Sequence, residues 1–149
     1  MSQDLSDGTL PTFDSVAVGD ELPAVSYPVR RFDLIRYAGA SGDFNVIHWN
    51  ERIATAVGLP NVIAHGMFTM ATGGRYVSDW AGDPGALVEY GVRFTSMVPV
   101  PDDDDGATIE IAGKITEKDD EARTAKVMLT ASSGGQKVLG KAIAVVRLP

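Results

Sequence analysis

Gly66-Met67-Phe68-Thr69-Met70-Ala71-Thr72-Gly73-Gly74-Arg75-Tyr76-Val77 is the stretch on which the fold turns. Met67, Met70, Ala71, Gly74 and Val77 recur at spacings of three and four, and Phe68 and Thr72 widen the apolar face. That periodicity predicts a helix over 66–77, more buried than a surface helix. Gly73-Gly74 in its middle costs roughly 1 kcal/mol per glycine relative to alanine. Close packing of another group against the helix backbone would account for that cost. Asp79 to Gly85 breaks the periodicity, and from Ala86 the period becomes two. Val88, Tyr90, Val92 and Phe94 alternate with Glu89, Gly91, Arg93 and Thr95. The pattern recurs in Ile109-Ile111-Gly113-Ile115, in Ala125-Val127-Leu129-Ala131 and in Val138-Gly140-Ala142-Ala144-Val146. These are half-buried strands joined by short reversals, hence antiparallel neighbours. Tyr27 to Arg30 adds a candidate edge strand. The expected class is α+β, with a curved antiparallel sheet wrapped around a central helix that it buries against its concave face. Open sheet edges call for a partner or a cover.

Upstream, 32–40 reads as a short helix with Phe32, Ile35 and Ala38 or Gly39 on one side, and Asp33 suits its N-terminal end. Asn50 is a candidate cap for a second short helix through Val57, stopped by Gly58 and Pro60. Val62 to Ala64 is an extended link. Residues 1–12 read as a flexible N-terminal segment and 13–149 as a single domain, in a chain of 149 residues.

The formal charge of −7 and the Asp102–Asp105 run exclude the basic stripe that nucleic-acid binding needs. Arg30, Arg31 and Arg36, with Arg75 and Arg93, are the candidate sites for a local anionic contact. No apolar run approaches the ~20 residues of a membrane span, and no basic segment precedes an apolar one as in a secretory leader. Cysteine is absent, which fits a reducing compartment. The cytoplasm is the expected location.

Between the first two helices lies Gly42-Asp43-Phe44-Asn45-Val46-Ile47-His48, which places a carboxylate and an imidazole five residues apart. Ala64-His65-Gly66-Met67 then opens the long helix. An imidazole is the natural base near neutral pH, and a carboxyl raised by burial can protonate a departing hydroxyl. Free N–H groups at a helix start, Gly66 or Met67 here, can receive an oxyanion. A glycine there lets the acyl group approach closely. This is equipment for proton removal next to a thioester carbonyl. The same residues also read as an Asx-turn through Asp43 and Asn45, a satisfied loop histidine at His48, and a structural histidine at His65 holding the helix entry. A zinc site on Asp43, His48 and His65 would have only two histidines and no cysteine, and lacks the usual ligand spacings. No metal and no cofactor are expected.

Gly42-Asp43-x-Asn45-x-x-His48 with Ala64-His65-Gly66-Met67 resembles the signature of the MaoC-like, or (R)-specific enoyl hydratase, family of hot-dog proteins. The stretches Tyr37-Ala38-Gly39, Ile47-His48-Trp49, Gly82-Asp83-Pro84-Gly85-Ala86 and Val92-Arg93-Phe94-Thr95 are similar to the B-type subunits of mycobacterial (3R)-hydroxyacyl-ACP dehydratases. The resemblance implies a single hot-dog domain with catalytic Asp43 and His48. It places Asn45 in support and the thioester-holding amide at Gly66. The implied reaction converts a (3R)-3-hydroxyacyl thioester, on acyl carrier protein or CoA, to a trans-2-enoyl thioester and water. It further implies pairing with a related A or C type subunit, or a homodimer. One departure stands in the loop: the family's proline is Val46 here, so one backbone angle loses its covalent restraint. The alternatives are a stand-alone (R)-specific enoyl-CoA hydratase and a non-catalytic acyl-thioester-binding subunit. Intact Asp43 and His48 argue against the latter.

Overall fold

The computed structural model describes residues 9–149. The expected flexible segment at 1–12 therefore lies, over residues 1–8, outside the described part. Among the described residues five strands form one antiparallel sheet: β1 (Glu21–Val29), β2 (Leu87–Phe94), β3 (Ala107–Asp119), β4 (Thr124–Ser133) and β5 (Gln136–Arg147). Three α-helices among them accompany it: α1 (Arg31–Ser41), α2 (Glu51–Ala56) and α3 (Gly66–Ala81). No helix among the described residues is long and apolar enough to cross a membrane.

The three C-terminal strands form as the alternation predicts. Ile109, Ile111 and Ile115 of β3, Val127 and Leu129 of β4, and Val138, Ala142, Ala144 and Val146 of β5 all face the core. β1 is longer than expected and pairs antiparallel with β3, which makes it an edge strand. β2 pairs with β5 rather than with its sequence neighbour β3.

The expected wrap of a curved hot-dog sheet around the helix is not what forms. The sheet is open, ordered β1-β3-β4-β5-β2, and its two end strands do not pair with each other. Five strands are too few to close around a helix. A sheet held about 10 Å from the helix axis has a circumference of about 60 Å, or roughly a dozen strands at their usual spacing. α3 instead packs against the sheet through β1, β2, β3 and β5, and α1 reaches it where Tyr37 meets Phe68 edge-on at 5.6 Å.

Both long helices bury only part of the face that hydropathy picks: Ala38 of α1 and Thr72, Gly74 and Val77 of α3 lie inside as expected, while Met67 and Ala71 are exposed. In α1 the buried residues are Leu34 and Ala38, while Phe32 is 69% exposed and Ile35 49%. α3 buries Thr69, Thr72, Gly73, Gly74, Tyr76, Val77, Trp80 and Ala81. It also runs past Val77 to Ala81 and stops where Gly82 turns left-handed at φ 72°. Tyr90 of β2 explains the glycine pair: its hydroxyl donates to the Met70 carbonyl at 2.9 Å, and the ring sits over Gly73 and Gly74. Burial pushes that hydroxyl up to about 12, so it stays a donor.

Candidate active site

The loop after α1 is fixed by its own polar side chains. Gly42 closes α1 with a left-handed cap at φ 77°. The Asp43 N–H donates to Ser41 Oγ at 3.2 Å, and Asp43 Oδ1 accepts the Asn45 N–H at 3.2 Å. Asn45 Oδ1 in turn accepts the Ile47 N–H at 3.3 Å and caps a single 3-10 turn, Val46–His48. Val46 therefore occupies the first turn position, the place where proline fits best because its missing N–H is not called on. The cap does part of the work that a ring restraint would do. The expected Asx-turn exists, and it holds the Asp–His pair together.

His48 is 92% removed from solvent, since its exposure is 8%. Its Nδ1 lies 2.7 Å from the Ile63 carbonyl. A carbonyl only accepts, so Nδ1 carries the proton and Nε2 of the neutral ring keeps its lone pair. The 62–64 link that supplies this carbonyl is itself laced to the following loop: Ala64 N–H donates to Val98 O at 2.9 Å, and Val100 N–H to Val62 O at 2.8 Å. The His48 ring is thus held by backbone that is itself hydrogen-bonded to the 98–100 segment.

His65 is 1% exposed. Its Nε2 donates to the backbone carbonyl of Asp43 at 3.0 Å. Its ring stacks on His48 with centroids 3.8 Å apart and planes 25° from parallel. Tyr37 meets its ring at 4.8 Å. Burial is the main cause that lowers the His65 pKa; the Asp43 carbonyl bond opposes it, His48 adds to it and the Asp43 carboxylate opposes it. An unfolded histidine titrates near 6.5. Because the folded value lies lower, this residue's share of stability is complete above about pH 6.5 and is lost as pH falls through the folded pKa. Urea midpoints should therefore drop between about pH 7.5 and about pH 5, and His65→Gln should drop less over the same interval. An equal drop in both proteins would assign the acid sensitivity elsewhere.

A carboxylate oxygen of Asp43 and one ring nitrogen from each histidine lie within 4.8 Å of one another. The sequence-predicted acid and base do meet. His48 Nδ1 and His65 Nε2 are held by carbonyl oxygens, which leaves the lone pairs on His48 Nε2 and His65 Nδ1. Asp43 itself is exposed, so its carboxyl is not shielded by side chains among the described residues.

A cleft of about 370 Å³ opens beside His48, with Gly66 and Thr69 of α3 on one side and Phe94, Met97 and Val138 on the other. That is toward the small end of ligand pockets. His65, the N-cap residue of α3, makes no side-chain cap bond, so the helix start faces the cleft with backbone donors. A Cβ added at Gly66 would come within 3.3 Å of the Phe94 ring, which narrows the cleft. Met67 points away from the work, at 55% exposed. Asn45 and Asp43 do not line the cleft, and Asn45 acts on the loop. Sequence reasoning missed Tyr37, which braces His65, and Phe94, the cleft wall that strand alternation assigns to the sheet interior. Arg31 leaves the candidate anion patch, because its guanidinium serves Val100 O at 3.0 Å, the Asn61 side chain and Glu51 at 3.4 Å. Arg75 is paired with Asp79 at 3.3 Å. A larger groove of about 960 Å³, between Pro60, Pro99, Ala107 and Gln136, adjoins the cleft through Met97.

Residues 15–133 match the family model described as MaoC like domain. A solved structure described as a MaoC-like dehydratase is 48% identical with a TM-score of 0.90, covering 94% of this chain and 43% of that one. The 3-hydroxyacyl-thioester dehydratase X of Mycobacterium tuberculosis is 42% identical over 79 residues, 53% of this chain and 27% of that protein. The 3-hydroxybutyryl-CoA dehydratase of Methylorubrum extorquens is 28% identical over 116 residues, 76% of this chain and 71% of that protein. The matches thus span less than half the length of the first two.

Proposed function

The chain belongs to the MaoC-like domain family, and from that premise we propose that it is a hydro-lyase for 3-hydroxyacyl thioesters carried on CoA or acyl carrier protein. The observation that carries this reading is the His48 ring, held through Nδ1 on Ile63 O with Nε2 free, beside Asp43 and at the mouth of a cleft that ends on the α3 N-terminus.

In the dehydration direction, the C2–H bond breaks and His48 Nε2 takes the proton. Charge moves onto the thioester oxygen, which the backbone N–H at Gly66 receives. The C3–O bond then breaks, C2=C3 forms, and the departing hydroxide takes a proton from Asp43 to leave as water. The two groups return to their starting states by proton exchange. Hydration runs the same steps backwards, and one water can exchange the roles of the two groups. The closed form of the site needs Asp43 shielded, and Phe44 and Trp49 beside it are also exposed, at 62% and 44%. We assign that shielding to a related subunit or a second copy, together with the acyl group.

The finer reading is a (3R)-specific dehydratase of type II fatty acid or mycolic acid synthesis, acting with an A or C type subunit. The groove beside Met97 supports it by offering room beyond the cleft for a longer acyl chain. A stand-alone (R)-specific enoyl-CoA hydratase is favoured instead by the likeness to the 3-hydroxybutyryl-CoA dehydratase, most of whose length is matched. Pure chain, alone and with a candidate partner, should be assayed on short and long trans-2-enoyl thioesters of CoA and carrier protein, with size-exclusion in parallel. Turnover of long chains that requires the partner supports the finer reading. Full turnover of short CoA esters by the chain alone selects the stand-alone enzyme. No turnover of any thioester in any combination ends the proposal.

A further inference from the structure

His65 touches the two groups assigned to proton transfer, from sequence distances of 22 and 17 residues, without touching the cleft. Its Nε2–H holds the Asp43 carbonyl at 3.0 Å. Its face holds the His48 ring at 3.8 Å. Its other flank rests against Tyr37, which Phe68 of α3 braces edge-on at 5.6 Å. The chain of contacts runs from α3 and α1 to His65 and ends on both working groups.

We propose that His65 is a positioning residue, which sets the separation of Asp43 and His48 by tying the Asp43 backbone to the stacked imidazole. The assignment rests on the proposed roles of Asp43 and His48. Three observations favour positioning over a merely structural part. First, the bond goes to the peptide carbonyl of the acid itself, so a shift of His65 is a shift of Asp43. Second, the stack fixes the plane of the His48 ring, whose Nδ1 bond alone leaves it free to tilt about the Ile63 carbonyl. Third, His65 is buried and outside the cleft lining, so contact with substrate is not its task. The Nε2–H tautomer is required by the carbonyl acceptor, and it leaves the buried Nδ1 as an unpartnered lone pair. The fold accepts that cost to keep the donor aimed at Asp43. Loss of such alignment costs up to about 10²-fold in rate, since reacting groups misplaced by an ångström lose their near-attack geometry.

Three substitutions separate the parts. His65→Gln puts an amide N–H where Nε2 stands and keeps the tie to Asp43. His65→Asn puts its amide where Nδ1 stands and loses the tie. His65→Phe keeps the stack and loses the tie. All are assayed beside Asp43→Asn and His48→Asn, with melting curves to compare folded populations. We expect kcat to fall by about 10²-fold in His65→Asn and His65→Phe with KM changed less than about threefold, and His65→Gln to recover most of that loss. Should His65→Phe not fold, the Gln and Asn pair decides alone. The proposal is overturned if Gln and Asn lose activity equally, if losses follow melting temperature alone, or if KM rises with kcat intact, which marks a substrate contact. Full activity of Asp43→Asn and His48→Asn would overturn the functional reading and this inference with it. Loss in those two with full activity in every His65 variant would overturn this inference only.

Discussion

His48→Asn is expected to lower kcat/KM for hydration of a trans-2-enoyl thioester by about 10³-fold in a protein that folds normally. Asparagine carries its amide N–H close to the position of Nδ1, so the bond to the Ile63 carbonyl survives. What disappears is the lone pair of Nε2. Because the carbonyl forces the proton onto Nδ1, no alternative tautomer in the wild type weakens this comparison. Asp43→Asn is the companion. Its Oδ1 still accepts the Asn45 N–H, so the loop keeps its turn, while the proton-carrying group is gone, and a loss of about 10²- to 10³-fold follows. Were each variant to retain wild-type kcat while giving a normal melting curve, the two side chains would not be the acid and base, and the cleft would be a binding site only. A rise in KM with unchanged kcat would say the same.

What the sequence made legible follows what a hydropathy pattern can register. β3, β4 and β5 carry the alternation, and the residues expected inward are buried, with Leu139 of β5 added where its alternation breaks. β2 carries the same alternation but has irregular pairing between Leu87 and Glu89 and between Gly91 and Arg93. Tyr90 and Val92 still pack on the core, while Val88 and Phe94 near the strand's ends are exposed, and Phe94 becomes a cleft wall. The helix faces were legible only in part, for a different reason. α3 buries threonines and glycines, and a buried threonine is affordable when its hydroxyl is satisfied within the helix. Thr72 Oγ1 donates to the Phe68 carbonyl at 2.9 Å. α1 turns Phe32 and Ile35 outward and adds Leu34 to the expected Ala38. An apolar period cannot tell a face that packs inside this chain from one that does not.

At the site, the local spacing of Asp43, Asn45 and His48 was enough to foresee their convergence, because the turn joining them is built from their own side chains. The position of His65 against both was out of reach. It depends on where α3 begins relative to a loop many residues earlier, which is set by the lacing of 62–64 to 98–100. The wrapped sheet failed at the same level. Each strand was readable alone, but the pairing of β2 with β5 and the open ends at β1 and β2 are long-range facts.

Gly73→Ala and Gly74→Ala should move stability in opposite directions, although both replace a glycine by the best helix former in the middle of α3. A Cβ on Gly73 would stand 2.3 Å from the Tyr90 hydroxyl oxygen, while the next atoms, Tyr90 Cζ at 3.4 Å and Leu129 Cδ1 at 3.5 Å, are at ordinary contact distance. A Cβ on Gly74 meets nothing closer than Tyr90 Cε1 at 3.5 Å. Alanine at 74 therefore collects the helix-propensity gain, up to about 1 kcal/mol. Alanine at 73 must displace the hydroxyl, break its bond to Met70 O and push β2 off the helix, for a net loss of about 2 kcal/mol. The clash is with one oxygen atom, so removing that atom is the test. Tyr90→Phe alone should cost about 1 kcal/mol for the hydrogen bond. In that background Gly73→Ala should become neutral or slightly stabilising, a coupling of about 2 kcal/mol between the two positions. Urea unfolding of the four proteins in this cycle measures it directly. If Gly73→Ala is equally destabilising with and without the hydroxyl, the glycine is not there to admit Tyr90.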